Sequence, residues 1–244
     1  MEILIMKSIV IAMLLITVTM CGAAFAKAPA EKPDKKGILV VSFGTSMPEA
    51  KRAIDNLVDA AKKANPDKEV RVAYTSNIIR RKIAKEQNVN IPSPAIALAQ
   101  MQDEGFTDVI VMPMHMIPGE EYDDITSLVR GVASVGGKYE FKKISVGKPY
   151  LSSANDCDVM ADVLMKRFAK QLSEEETVIV LMGHGTPEHA ANAMYSQLQL
   201  SLSKKAPGRF VVGTVEAAPM IEDVIARLKH NGNAKNLVLS PLMI

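Results

Sequence analysis

Gly37-Ile38-Leu39-Val40-Val41-Ser42-Phe43-Gly44-Thr45 and, later in the chain, Thr177-Val178-Ile179-Val180-Leu181-Met182-Gly183-His184-Gly185-Thr186 decide the fold. Each is apolar on consecutive positions and then breaks at a glycine turn. A strand with one wet face alternates polar and apolar residues. A continuous apolar run needs cover on both faces, as in a parallel sheet flanked by helices. Because the two stretches match, the chain reads as an internal duplication.

The flanking sequence repeats the same alternation. After the first run, Ala50, Ile54, Leu57, Val58 and Ala61 recur at helical spacing and predict a helix over 48–63. Val70 to Thr75 reads as a strand. Ser93 can cap a helix that has Pro94 at its first position, runs to about Glu104 and stops at Gly105. Val109 to Pro113 is the next strand. After the second run, a helix is expected over Glu188 to Ser203 and a strand over Arg209 to Val215. A helix over Met220 to His230 stops at Asn231-Gly232, and a strand follows from Leu237. The expected class is α/β, with two similar lobes over 37–150 and 151–244, each a doubly wound parallel sheet flanked by helices. Two such lobes hold a ligand between them, outside the carboxyl ends of the strands. The first lobe continues past its third strand into a loop and another helix. The duplication therefore predicts a similar continuation after Ile244.

Composition narrows the function classes. Of 244 residues, 29 are basic and 27 acidic, a net charge of +2 that gives no basic footprint for nucleic acid. There is no Trp, and aromatics are 5%, so base-stacking platforms are not expected. Cys21 and Cys157 are too few for a disulfide scaffold. Lys7 precedes the apolar run Ile9 to Ile16, and Ala24-Phe25-Ala26 offers the small-x-small pattern of a signal peptidase site. A signal peptide over 1–26 and a periplasmic location are expected. The apolar run is shorter than the roughly 20 residues of a membrane span, so no span is expected once the signal is removed. Met20 before Cys21 is not the small residue that lipoprotein processing prefers. Residues 27–36 are polar and Pro-containing and read as a flexible leader.

The strand ends carry the candidate chemistry. His184 stands between Gly183 and Gly185, which let the backbone turn and leave the imidazole in the cleft. A His in a polar turn with no role is the alternative. His115 follows the strand that ends at Pro113 and reads equally as a site residue or as a hydrogen-bonded His between the lobes. His189 falls on the following helix, and His230 ends a helix, where a cation complements the dipole. Glu216 follows the strand Phe210 to Val215, a place that packing does not explain. An imidazole and a carboxylate at neighbouring strand ends make a partial site for a divalent metal, or a pair for acid-base work without one. Glu120-Glu121 is surface acid at a helix start by default. Ser42 to Thr45 is only a weak match to a phosphate-cradling loop, and Ile79-Arg80-Arg81-Lys82 is a short basic run that suits an anionic ligand.

At these residues the chain resembles the anaerobic sirohydrochlorin cobaltochelatases, class II chelatases with a two-lobed fold. The resemblance lies in Val41 to Ser46, Tyr74-Thr75-Ser76 with Ile79-Arg80, His115 with Gly119-Glu120-Glu121-Tyr122, Met182 to Gly185, and Val215-Glu216. It spans about Gly37 to Ile244. It implies insertion of Co2+, a substrate metal, into sirohydrochlorin, an early step of anaerobic cobalamin synthesis. It implies His184 and Glu216 as metal ligands and catalytic residues. A third ligand, a His in a Gly-Asp-His segment, would fall just beyond Ile244. Ser42, Thr45, Arg80, His115 and Glu120 are the implied substrate-binding residues, with Arg80 and Arg81 facing substrate carboxylates. In exported relatives the resemblance also links haem and a homotetramer. A chelatase using Fe2+ or Ni2+, and an exported carrier of a tetrapyrrole or metal, are the alternatives.

Overall fold

The computed structural model describes residues 34–231 and 234–243. The signal, Cys21, the leader as far as residue 33, Gly232 and Ile244 lie outside the described residues. Strand β1 (Lys36–Ser42) is followed by α1 (Pro48–Ala64), β2 (Glu69–Tyr74), α2 (Asn77–Gln87), α3 (Pro94–Asp103), β3 (Asp108–Pro113), α4 (Glu120–Ala133) and β4 (Lys143–Val146). Helices α5 (Ala154–Arg167) and α6 (Ala169–Leu172) lead into β5 (Thr177–Gly183), α7 (Ala193–Lys205), β6 (Phe210–Thr214), α8 (Ile221–Asn231) and β7 (Asn236–Pro241). The strands form two sheets, ordered β2-β1-β3-β4 and β6-β5-β7, with every pairing parallel. The expected α/β class, two parallel sheets flanked by helices, is the one observed.

The two apolar runs are the middle strands, and both of their faces are covered. Leu39 and Val41 pack with Leu98, Met101, Phe106 and Ile125, while Ile38 and Val40 pack with Ile54, Val58 and Tyr74. In the second lobe Ile179 and Leu181 pack with Tyr195, Leu198 and Leu202, while Val178 and Val180 pack with Val211 and Val224. Each such buried side chain contributes about 1.5–3 kcal/mol. Serine side chains start three of the helices: Ser76, Ser93 and Ser153 accept from the N–H groups of Ile79, Ile96 and Asp156 at 3.4, 3.3 and 3.2 Å.

Two boundaries differ from the sequence reading. The expected leader over 27–36 ends too late, because Lys36 is already in β1, opposite Asp108, and Lys35 N–H donates to Thr107 Oγ1. The helix expected from Glu188 starts only at Ala193. Glu188 takes the left-handed φ of 49°. The Asn192 side chain then holds the turn open, accepting from Thr186 N–H and donating to the Thr186 and His189 carbonyls. His189 is therefore not on the helix. It caps a short 3-10 turn, where its Nδ1 accepts from Ala191 N–H.

Three strands of each lobe, β2-β1-β3 and β6-β5-β7, share one register, and β4 has no counterpart among the described residues. Ser42 pairs with Tyr74 as Gly183 pairs with Thr214, and Val41 pairs with Pro113 as Met182 pairs with Pro241. The hydrogen bonds beyond the strands repeat too. Ser76 N–H donates to Phe43 O and Glu216 N–H donates to His184 O, while Met114 N–H donates to Val41 O and Leu242 N–H to Met182 O. Side-chain cover is not repeated. Val109 and Val111 are buried beside Ile125, Val129 and Phe141, but their counterparts Leu237 and Leu239 are 56% and 72% exposed.

Both central turns rest on a glycine with positive φ, Gly44 at 95° and Gly185 at 84°. A Cβ on Gly44 would also lie 2.4 Å from the Tyr74 ring. Gly131 in α4 has no strained φ and open space where its Cβ would stand. Gly44→Ala should therefore lower stability by more than about 1 kcal/mol, while Gly131→Ala should raise it by about 0.5–1 kcal/mol. Urea unfolding midpoints of the two variants should move in opposite directions. A neutral Gly44→Ala would show that the turn is not set by its backbone.

Candidate functional site

The carboxyl ends of the strands open on a cleft of about 400 Å3 lined from both lobes. Phe43, His115 and Glu121 come from the first lobe, and His184, Thr186 and Glu216 from the second. The two walls are in direct contact. Glu120 N–H donates to Thr186 Oγ1 at 3.4 Å.

His184 and Glu216 follow neighbouring strands, β5 and β6, and their side chains meet. His184 Nδ1 lies 3.5 Å from Glu216 Oε2 and 3.2 Å from Gly185 O. Both side chains face solvent, at 58% and 46% exposure, so neither is held there by packing. Two donors each about 2.1 Å from one tetrahedral ion stand about 3.4 Å apart. The observed gap of 3.5 Å is compatible with that spacing and equally with a direct imidazole–carboxylate ion pair. Among the described residues no group of three or more His, Cys, Asp or Glu side chains could hold a metal.

A second imidazole–carboxylate pair stands in the first lobe. His115 Nε2 is 3.3 Å from Glu121 Oε2, and Thr75 Oγ1 donates to the same oxygen at 2.6 Å. Thr75 follows β2, His115 follows β3, and Glu121 opens α4. The main chain fixes His115 from the other side. His115 O and Met116 O accept from Tyr150 and Leu151 N–H, and Met114 and Ile117 are buried in the cores of different lobes. The imidazole is mostly buried, and its Nδ1 has no hydrogen-bond partner among the described residues. Burial pushes the Glu121 carboxyl up. The hydrogen bonds from His115 and Thr75, with the nearby His115 and His184 charges, outweigh it and hold Glu121 below its ordinary value. A carboxylate and an imidazole in contact can share, take up and pass on a proton.

The other residues singled out by sequence lie elsewhere. Ser42 is buried, and its Oγ accepts from Gly44 N–H. Thr45 Oγ1 accepts from Met47 N–H. Arg80 donates to Asn77 Oδ1 on α2. None of these three side chains forms the cleft wall. Ser42 and Thr45 shape the turn instead. Glu120 does line the wall, but the carboxylate turned to His115 belongs to Glu121. His189 spans the lobes, with Nε2 3.1 Å from Asp123 Oδ2. His230 is exposed in the last turn of α8. Burial, with Asp156 and Asp158 alongside, pushes the Cys157 thiol up to about 11, which makes it a packing residue. Sequence reasoning missed Thr75, Glu121 and Asn192. Two of the three carried a signal: Glu121 sits beside Glu120 at a helix start six residues after His115, and Thr75 lies in the Tyr74-Thr75-Ser76 motif, but neither has a role by sequence alone.

Comparison with known proteins matches residues 36–244 to the model of the family described as Cobalt chelatase (CbiK). The chain is 32% identical over 212 residues to the sirohydrochlorin cobaltochelatase of Salmonella typhimurium, covering 86% of this chain and 76% of that protein. It is 30% identical over 209 residues to the sirohydrochlorin cobaltochelatase CbiKC of Nitratidesulfovibrio vulgaris, covering 86% and 71%. A solved structure, the sirohydrochlorin chelatase SirB of Bacillus subtilis subspecies spizizenii in complex with cobalt, matches with a TM-score of 0.54 at 15% identity. That likeness covers 85% of this chain and 87% of that one, and it shows the fold.

The lowered Glu121 value makes a pH prediction. An ionised Glu121 adds stability that is complete above its ordinary value of 4.5 and is lost as the pH falls through the lower folded value. Glu121→Gln should be less stable than wild type at pH 7, and the gap should close on acidification below about 4.5. Urea midpoints measured from pH 7 to pH 3 test this. A gap that stays constant would mean that the Glu121 charge does not bind His115 and Thr75.

Proposed function

The chain belongs to the cobalt chelatase (CbiK) family, and from that membership we propose that it is a sirohydrochlorin cobaltochelatase, inserting Co2+ into sirohydrochlorin with release of two protons. The single observation that carries the reading is the His184–Glu216 pair, two donors at a one-ion spacing in an open cleft. Insertion has two demands. The dication must lose water, and the pyrrole nitrogens must lose protons. His184 supplies a neutral donor and Glu216 a charged one, which together replace water and offset part of the positive charge. His115 and Glu121 stand across the cleft without a place in that shell. They receive the pyrrole protons, with the Glu121 carboxylate balancing the imidazolium that forms. The cleft takes the macrocycle; Arg80 and Arg81, the cations that the resemblance implies for the peripheral acid groups, lie outside the cleft wall.

In the same reading the protein is exported and works in the periplasm. Lys7, the apolar run Ile9 to Ile16 and Ala24-Phe25-Ala26 support this. Cleavage should fall between Ala26 and Lys27. N-terminal sequencing of exported material checks it, and a mature protein beginning at Met1 would reject it.

Steady-state Co2+ insertion tests the function. Removing a direct ligand should cost at least about a hundredfold in rate. His184→Ala should show that loss while unfolding like wild type, because an exposed imidazole contributes little packing. Glu216→Gln keeps shape and loses charge, so it should show the same class of defect. Wild-type rates in both folded variants would place the site elsewhere. Stoichiometric binding of sirohydrochlorin without product would identify a carrier instead, and turnover with Fe2+ or Ni2+ alone would change the metal.

A further inference from the structure

Phe43 lies where nothing in the fold requires an aromatic residue. Among the described residues, Phe106, Phe141, Phe168 and Phe210 are all buried, at 7% exposure or less, while Phe43 is 44% exposed. An exposed phenyl forgoes the stabilisation that burial gives the other four. The loop does not let it turn inward. Ser76 N–H donates to Phe43 O at 3.2 Å, Gly44 N–H donates to Ser42 Oγ at 3.1 Å, and Gly44 sits at a positive φ against the Tyr74 ring. The phenyl is thus held out over the cleft, whose wall it forms together with His184 and Glu216.

The register of the two lobes says what stands opposite. Ser42 corresponds to Gly183, so Phe43 corresponds to His184, and the bonds Ser76 N–H to Phe43 O and Glu216 N–H to His184 O are the same bond in the two lobes. Each lobe therefore presents one flat ring from the same point of its central turn. Only the imidazole can bind metal or a proton. The phenyl can offer an apolar face and nothing else. A tetrapyrrole macrocycle has apolar flat faces and keeps its acid groups at the periphery, which is what such a surface takes.

We propose that Phe43 is a positioning residue against which one flat face of the substrate macrocycle lies, so that the other face is turned to His184 and Glu216. This rests on the chelatase reading above. It gives the reaction a direction: the ion enters from the second lobe's side of the ring plane, and the phenyl supports the plane from the first.

The test compares Phe43→Ala, Phe43→Leu and Phe43→Tyr in the full chain. Sirohydrochlorin binding is followed by the shift of its absorption bands, Co2+ insertion by KM and kcat, and Co2+ binding without macrocycle by titration. Phe43→Ala should raise the sirohydrochlorin Kd and KM about tenfold and leave Co2+ affinity unchanged. Phe43→Leu should recover part of the loss, and Phe43→Tyr nearly all of it, with the wild-type band shift restored. A merely structural role would move Co2+ affinity as well and would not be rescued by Tyr. Wild-type Kd and KM in Phe43→Ala, with a wild-type chain that binds and turns over, would overturn this proposal alone. A wild-type chain that does not bind sirohydrochlorin would overturn it together with the chelatase reading. A wild-type chain that binds without turnover, while Phe43→Ala loses binding, would support Phe43 and overturn only the chelatase reading.

Discussion

A parallel strand covered on both faces has no position along its length for a charged side chain. That constraint acts on β1 after its first residue, Lys36, and on β5, where all but the half-buried Met182 are buried against helices on either side. Polar chemistry is pushed to the carboxyl ends, where the chain leaves the sheet. Glycine turns at 44 and 185 then decide which side chains stand out from those ends. Because the pattern occurs twice, two sets of strand ends face one cleft.

The duplication is exact in backbone register and unequal in chemistry. Phe43 stands where the second lobe has His184, Ser76 where it has Glu216, and His115 where it has Met243. Ser76 spends its side chain on capping α2, so the first lobe keeps no carboxylate at that place. The result separates two tasks. The second lobe holds an imidazole and a carboxylate open to solvent and 3.5 Å apart, the pair proposed to take the ion. The first lobe holds a mostly buried imidazole bonded to a carboxylate that is 40% exposed. Exposure suits a pair that must meet a hydrated ion. Neighbours at hydrogen-bond distance suit a carboxylate whose charge must be held in place.

The middle strands and the His184–Glu216 pair were legible because each breaks a local rule. An unbroken apolar run cannot be a half-wet strand, and Glu216 stands at the end of a buried one. Glu121 was not legible as distinct from Glu120. Both are acids at a helix start, and only the placement of β2 and β3 turns one of them to His115 and Thr75. Arg80 and its basic neighbours masked a helix, α2, that buries little beyond Ile83. Asn192 was hidden because its role is to stop a helix that the apolar spacing of 188–203 otherwise supports. Pattern reports what a segment buries. It does not report what a side chain several elements away will bond.

The central claim is that metal is held by one lobe and protons are received by the other. Cobalt(II) titration, read by its visible ligand-field bands, separates the two when run on His184→Ala and His115→Ala beside wild type. The account predicts that His184→Ala loses the Co2+ signal. It predicts that His115→Ala binds Co2+ as wild type does yet fails to insert it into sirohydrochlorin. Loss of Co2+ binding in His115→Ala, or its retention in His184→Ala, would contradict the account.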